Sequence, residues 1–222
     1  MIDWVPFWVS FQLGLWVTAI LLVAGFPLAW LFAFSRRRWV VWIESVFSLP
    51  LVLAPTVVGF YLLLLLSPQN GLGKLFQDLF GVRLAFSFPA IVFAGCVSAL
   101  PSMLAGLKTG LLSLPPSLLE ASATLGKGPM ETFFRVVLPQ TRGGVLAGVV
   151  LTFAHTLGEF GVVLMIGGSL PGVTKVVSIA IYERVEALDF GTAHVYALVL
   201  IAAAYPLVVL LNHLQRRESR TA

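Results

Sequence analysis

The chain has 222 residues, 59% of them apolar and 11% charged, with a formal net charge of +4. Soluble domains carry roughly 45–50% apolar and about 25% charged residues, so a soluble globular protein is excluded and a membrane protein is expected. The one cysteine, Cys96, has no partner for an internal disulfide or a cysteine-based zinc site and reads as a small buried hydrophobe.

Stretches free of Asp, Glu, Lys and Arg mark the spans, each able to hold the ~20 apolar residues that cross the hydrocarbon core as a helix. The first is Trp4–Ser35. It is too long for a signal peptide, and its basic cluster, Arg36 to Arg38, follows rather than precedes it, so it is expected to be retained. The second is Ser45–Gly73. Leu72, Leu75, Phe76, Leu79 and Phe80 then recur at helical spacing ahead of Gly81, which predicts a short amphipathic helix in the outer interface. Leu84–Leu107 is the third span, and a polar stretch separates it from the fourth, Gly143–Thr174, which Glu159 interrupts. Val177, Ile181, Val185 and Leu188 repeat the amphipathic pattern more weakly. That segment carries Glu183, Arg184 and Glu186 and reads as a re-entrant or surface helix, with a sixth crossing as the competing reading. Phe190–Gln215 closes the set at five.

Basic residues orient the spans. Ten of them (Arg36, Arg37, Arg38, Lys108, Lys127, Arg135, Arg142, Arg216, Arg217, Arg220) fall on one side, and four (Lys74, Arg83, Lys175, Arg184) on the other. The positive-inside rule puts the N-terminus outside and the C-terminus in the cytoplasm. The net positive charge is then a topology signal and calls for no nucleic-acid partner. An odd number of spans without an inverted repeat suggests a pore completed by a second, parallel copy.

In the polar stretch, Ser117 to Glu120 has the spacing of a capping box behind Pro115-Pro116, and Gly126 is a helix stop followed by Lys127. Pro129 opens a second short helix through Met130, Phe133, Phe134 and Val137, which Pro139 is expected to end. The product is a helix-turn-helix on the cytoplasmic side. On physics alone the same residues would also serve as a tight link between two spans.

Glu120-Ala121-Ser122, Gly126, Val136 and Leu138-Pro139 match the cytoplasmic motif of binding-protein-dependent ABC importer permeases, E-A-A with G at the seventh position and I-x-L-P at its end. The departures are Ser122 for alanine and Val136 for isoleucine. Ser48–Leu66, GLGKLF, FAHTLGEFGVVLMIGG (Phe153–Gly168) and Ser178–Phe190 resemble the molybdate branch of that family over nearly the full chain, and LGEFG is shared with sulfate permeases. His155 stands where an arginine or serine would be expected. The resemblance implies one all-α transmembrane domain over 1–222 with the type I importer permease fold, multi-pass in the inner membrane. It implies that the loop of about 112–142 couples to a separate ATPase through Glu120, Ala121, Ser122, Gly126, Val136, Leu138 and Pro139. Implied partners are a second copy of the chain, two ATP-binding subunits and an external oxyanion-binding protein. ATP and magnesium would be held by the ATPase, with no cofactor in this chain. The implied cargo is a tetrahedral oxyanion, molybdate first, with tungstate and sulfate as alternatives.

Other chemistries lack their residues. Gly71-Leu-Gly-Lys74-Leu75 misses the first glycine and the Ser/Thr of a phosphate loop, Gly167-Gly-Ser169 lacks a nucleophile-elbow frame, and His155, His194 and His213 have no metal-ligand spacing. No catalytic or metal residue is expected. A secondary transporter or channel would more often carry several intramembrane charges, and here there is one. A carboxylate at a helix centre costs roughly 2.5–3.5 kcal/mol on insertion, but Glu159 lies between Gly158 and Gly161, past the middle of the fourth span toward its outer face. An ionised carboxylate would repel an oxyanion, so a gate-bracing acceptor at a local helix break is favoured over a substrate ligand or a snorkelling surface group. Ser98, Ser102, Thr152 and Thr156 are the candidates for lining a pathway of small and hydroxyl groups.

Overall fold

The computed structural model describes residues 2–35, 37–69, 71–80 and 84–218, and every regular element among them is helical. The elements are α1 (Val5–Phe34), α2 (Arg38–Ser48) with a 3-10 turn at Leu49–Leu51, α3 (Pro55–Leu66), α4 (Gly71–Phe80) and α5 (Phe88–Leu112). There follow α6 (Pro116–Thr124), α7 (Pro129–Thr132), a π-helical turn (Phe133–Val137), α8 (Leu138–Gln140), α9 (Arg142–Gly158), α10 (Gly161–Gly167), α11 (Val177–Glu186) and α12 (Phe190–Glu218). Arg36, Gly81, Arg83 and Arg220 lie outside the described residues.

Three helices, α1, α5 and α12, are each long and apolar enough to cross a membrane, and the number rises to five if each of two bent helix pairs is one span. The core is the triangle of α1, α5 and α9, where Leu13, Val17, Met103 and Leu107 are fully buried. Small residues let the backbones touch. Gly106 and Gly110 on α5 face Gly144 and Gly148 on α9 so closely that a Cβ at Gly106 would fall 2.3 Å from the Gly148 nitrogen. This is the four-residue small-residue spacing by which helices approach in lipid, where no hydrophobic drive holds them together.

Around this triangle α10 packs on α3 and α5, α12 packs on α9, and α11 packs on α12 and α1. Long-range hydrogen bonds tie the outer elements in: Ser10 Oγ accepts from the Val177 N–H (2.8 Å), and the Tyr196 hydroxyl accepts from the Asp3 N–H (2.9 Å). Most of α12 is uncovered, with 6% of its span buried, as suits a face toward lipid or another subunit.

Four expectations are corrected. Ser45–Gly73 is not one straight helix: α2 and α3 meet at 110°. Pro55 accounts for the break, because the residue before a proline avoids the α region and Ala54 is extended at ψ 135°. With Trp39, Val41 and Trp42 exposed and Val40 buried, α2 instead has the form of an interfacial helix, and Lys108 on α5 pairs with its Glu44. In α11 the buried stripe is Val177, Ile179 and Ala180; Val185 and Leu188 are exposed. Ten residues make about 15 Å of helix, too short for a sixth crossing. Ser117 caps nothing, since α6 starts at Pro116 with Pro115 as its N-cap. Pro139 does not end its helix, which runs to Gln140 through the π turn. The Leu138 N–H reaches back five residues to the Phe133 carbonyl, and the wider turn absorbs the bond that Pro139 cannot donate.

The expected short helix ahead of Gly81 is α4. Leu75 is exposed, and the side chains of Leu72, Phe76, Leu79 and Phe80 lie outside the described residues.

Candidate functional site

Two places concentrate polar chemistry, one at each end of α9. At its cytoplasmic end, α6 stops in a complete Schellman turn. The Gly126 N–H donates to the Ala123 carbonyl (3.0 Å), the Lys127 N–H to the Ser122 carbonyl (3.1 Å), and Gly126 lies at φ +69° with open space around it. A left-handed residue is required here, and glycine adopts it without strain. Ser122 is buried, and its hydroxyl shares a 2.6 Å hydrogen bond with that of Thr132, which ties α6 to α7 across the turn. An alanine could not make this bond. Lys127 donates to Glu131 (2.6 Å) and holds that carboxyl below its ordinary range, with Arg135 adding to the effect from 3.0 Å.

The turn presents an apolar surface. Leu125, Met130 and Phe134 are 76%, 69% and 58% exposed, more than one loop of a finished surface would leave bare. Glu120, Ala121 and Pro139 are exposed beside them, and Val136 and Leu138 are half-buried beneath. Between this loop and α1 lies an apolar cavity of about 1010 Å³ bordered by Phe26, Trp30 and Phe133.

At the outer end, α9 stops at Gly158. Glu159 is extended (φ −63°, ψ 130°), Phe160 sits at φ −130°, and α10 resumes at Gly161. Gly161 permits contact with α3, since a Cβ there would fall 2.9 Å from the Pro55 side chain. The Glu159 side chain is buried and accepts from Ser98 Oγ at 2.7 Å. His155, one turn back, places Nε2 3.2 Å from the same carboxylate oxygen and 3.3 Å from Ser98 Oγ. Ser178 of α11 donates to the Glu159 backbone carbonyl (2.6 Å), one of the groups freed by the break. The three side chains therefore join α5, α9 and the break, beside an open cavity of about 570 Å³ reached by His155 and by Pro55 and Thr56 at the start of α3.

Of the four pathway candidates, the structure brings Ser98 into this cluster. Thr156 spends its hydroxyl on the Thr152 carbonyl (2.8 Å), Thr152 is fully buried with Oγ1 unpartnered, and Ser102 is half-buried farther along α5. Sequence reasoning missed Ser178 and gave His155 no partner. The i,i+4 spacing of His155 and Glu159 was the available signal. Among the described residues no group of three or more His, Cys, Asp or Glu could hold a metal ion.

Residues 25–220 match the family model described as binding-protein-dependent transport system inner membrane component. The chain belongs to that family. Among its relatives, the molybdenum transport system permease protein ModB of Azotobacter vinelandii is 43% identical over 185 residues, 83% of this chain and 82% of that protein. The sulfate transport system permease protein CysT of Salmonella typhimurium is 32% identical over 198 residues, 89% of this chain and 71% of that one. In fold, the chain is similar to a chain of the MetNI methionine ABC transporter in an inward-facing form, with a TM-score of 0.70 at 15% identity over 96% of this chain and 94% of that one. The all-helical architecture is thus that of ABC importer permeases, and the family is one of the inner membrane.

Proposed function

We propose that this chain is the membrane-spanning subunit of an ATP-driven importer for a tetrahedral oxyanion, molybdate first. It works as a symmetric pair above two copies of a separate ATPase, which holds ATP and magnesium, and receives the anion from an external binding protein. The observation that carries the reading is the 43% identity to a molybdenum permease over four-fifths of both chains. Supporting it, the loop 116–140 exposes Leu125, Met130 and Phe134 around Glu120 and Ala121, an apolar surface suited to a protein groove. Residues Glu120, Ala121, Ser122, Gly126, Val136, Leu138 and Pro139 form or support that docking element. Glu159, with Gly158 and Gly161, braces the break in the fourth span near the external gate. The loop lies in the cytoplasm and the N-terminus outside, as the distribution of basic residues requires.

The sulfate relative supports a second cargo. Both readings are tested with the purified complex of this chain and its ATPase, by measuring ATP hydrolysis as binding protein loaded with each anion is added. Stimulation by the molybdate-loaded protein is expected. Stimulation by sulfate-loaded protein alone would move the chain to the sulfate branch, and none by either would remove the importer reading.

A further inference from the structure

The cluster at the break joins an imidazole to a buried carboxylate, and both border an open cavity. The Glu159 side chain is 5% exposed, while that of His155 is 37% exposed and borders the cavity beside α3. Ser98 has a single hydroxyl proton, committed to Glu159 at 2.7 Å. Its oxygen and the Glu159 Oε2 are then both acceptors toward His155 Nε2, at 3.3 and 3.2 Å, so Nε2 carries a proton and Nδ1 is the position at which a second one binds. With one proton on the ring the cluster has a net charge of −1; with two it is neutral.

We propose that Ser98, His155 and Glu159 form a proton-binding site that sets the electrostatic barrier for an anion in the adjoining cavity, with transport rising as His155 takes up its second proton. The inference rests on the oxyanion reading above. A dianion beside an uncompensated carboxylate is repelled through a medium of low effective dielectric, and an imidazolium 3.2 Å from that carboxylate cancels most of the repulsion. Imidazole is the side chain whose ordinary titration falls between about pH 5 and about pH 8.

Among the described residues no other ionisable side chain makes a hydrogen bond or ion pair with this cluster, and Tyr61 on α3 is exposed. From α3 the cavity receives Pro55 and Thr56, and α1 has no ionisable side chain. On α5, Lys108 is paired with Glu44 and Cys96 is half-buried in the core. Glu183 and Arg184 on α11 pair with Lys175 and Asp189, and Tyr182 donates to Glu186. On α12, Tyr196 holds Asp3, and neither His194 nor Tyr205 makes a hydrogen bond or ion pair with His155 or Glu159.

The test is ATP-dependent molybdate uptake into proteoliposomes that contain the complete complex, at about pH 6 and about pH 8 on the binding-protein side. Wild type should be at least about threefold faster at the lower pH. His155→Gln should lose that acid enhancement. His155→Lys, which fixes a positive charge beside Glu159, should raise uptake at about pH 8 to the wild-type rate at about pH 6, a gain that misfolding cannot imitate. Retention of the acid enhancement by the Gln variant, or no gain by the Lys variant, would overturn the proposal. Absence of any ATP-dependent uptake by wild type with molybdate and its binding protein would instead count against the oxyanion reading.

Discussion

The two halves of α9 meet the same neighbour, α5, by different physics. In the cytoplasmic half, Gly144 and Gly148 bring the backbones together against Gly106 and Gly110, and no side-chain hydrogen bond crosses between them. In the outer half, Ser98 reaches His155 and Glu159, the helix breaks, and a cavity opens beside it. A seam of backbone on backbone leaves nowhere to move, whereas a polar cluster at a helix break can exchange partners at small cost. The stiff half is also the one joined to the loop 116–140, through a 72° bend after Gln140. On the proposed reading, a push received at the loop is carried by the glycine seam and expressed at the break.

The largest expected effect comes from removing the stiffness. Gly106→Val adds atoms where the first Cβ alone would stand 2.3 Å from backbone nitrogen, and no side chain can yield to it. A cost at the upper end of roughly 1–3 kcal/mol is expected, seen as loss of folded protein from the membrane and a lower unfolding temperature. A normal melting curve for that variant would show that the seam is not the rigid element.

Next is the outer half. Glu159→Ala leaves the Ser98 hydroxyl and His155 without their shared acceptor, at roughly 1–3 kcal/mol for the buried donor, and should abolish uptake or leave the gate leaky. Glu159→Gln keeps an acceptor oxygen and removes the charge, so uptake should persist and, at about pH 8, should be no slower than in wild type. Equal activity of the Ala variant and wild type would reduce the cluster to packing.

At the input end, Gly126→Val forces a β-branched residue to φ +69°, at roughly 1–3 kcal/mol of local strain. The site is open, so the protein should insert normally while ATP hydrolysis no longer drives uptake. Coupled transport by that variant would make the loop a plain connection.

The smallest effect concerns Glu131, whose carboxyl is held low chiefly by the hydrogen bond from Lys127. A depressed carboxylate lends stability above its unfolded pKa of about 4.3, and that contribution is lost as pH falls through the lower folded value. Because the pair is exposed, Lys127→Ala should lower the melting temperature only slightly at neutral pH, and the difference from wild type should vanish in acid, where Glu131 is protonated in both. A large loss at neutral pH would mean that the ion pair shapes the docking surface.

What could be read in advance followed from how local each signal is. Apolar runs located α1, α5 and α12 to within a few residues, because crossing lipid demands length and composition over one continuous segment. The Gly126 stop was legible too, since a Schellman turn is built from neighbours. The interfacial helix α2 was missed because its apolar face merges into the next apolar run at Ser45, and only the 110° bend separates them. The Glu159 break was visible in its flanking glycines, but its partners were not: Ser98 is 61 residues away and Ser178 lies on another helix. In sequence Ser122 is only a departure from alanine, because Thr132, which shares its hydrogen bond, lies ten residues on and across the turn.

Molybdate uptake into proteoliposomes holding this chain and its ATPase, with ATP trapped inside and the loaded binding protein outside, tests the importer reading most directly. Accumulation should require both ATP and the binding protein and should vanish in Gly126→Val while the complex remains assembled. Accumulation driven by an ion gradient without ATP, or none with every component present, would contradict it.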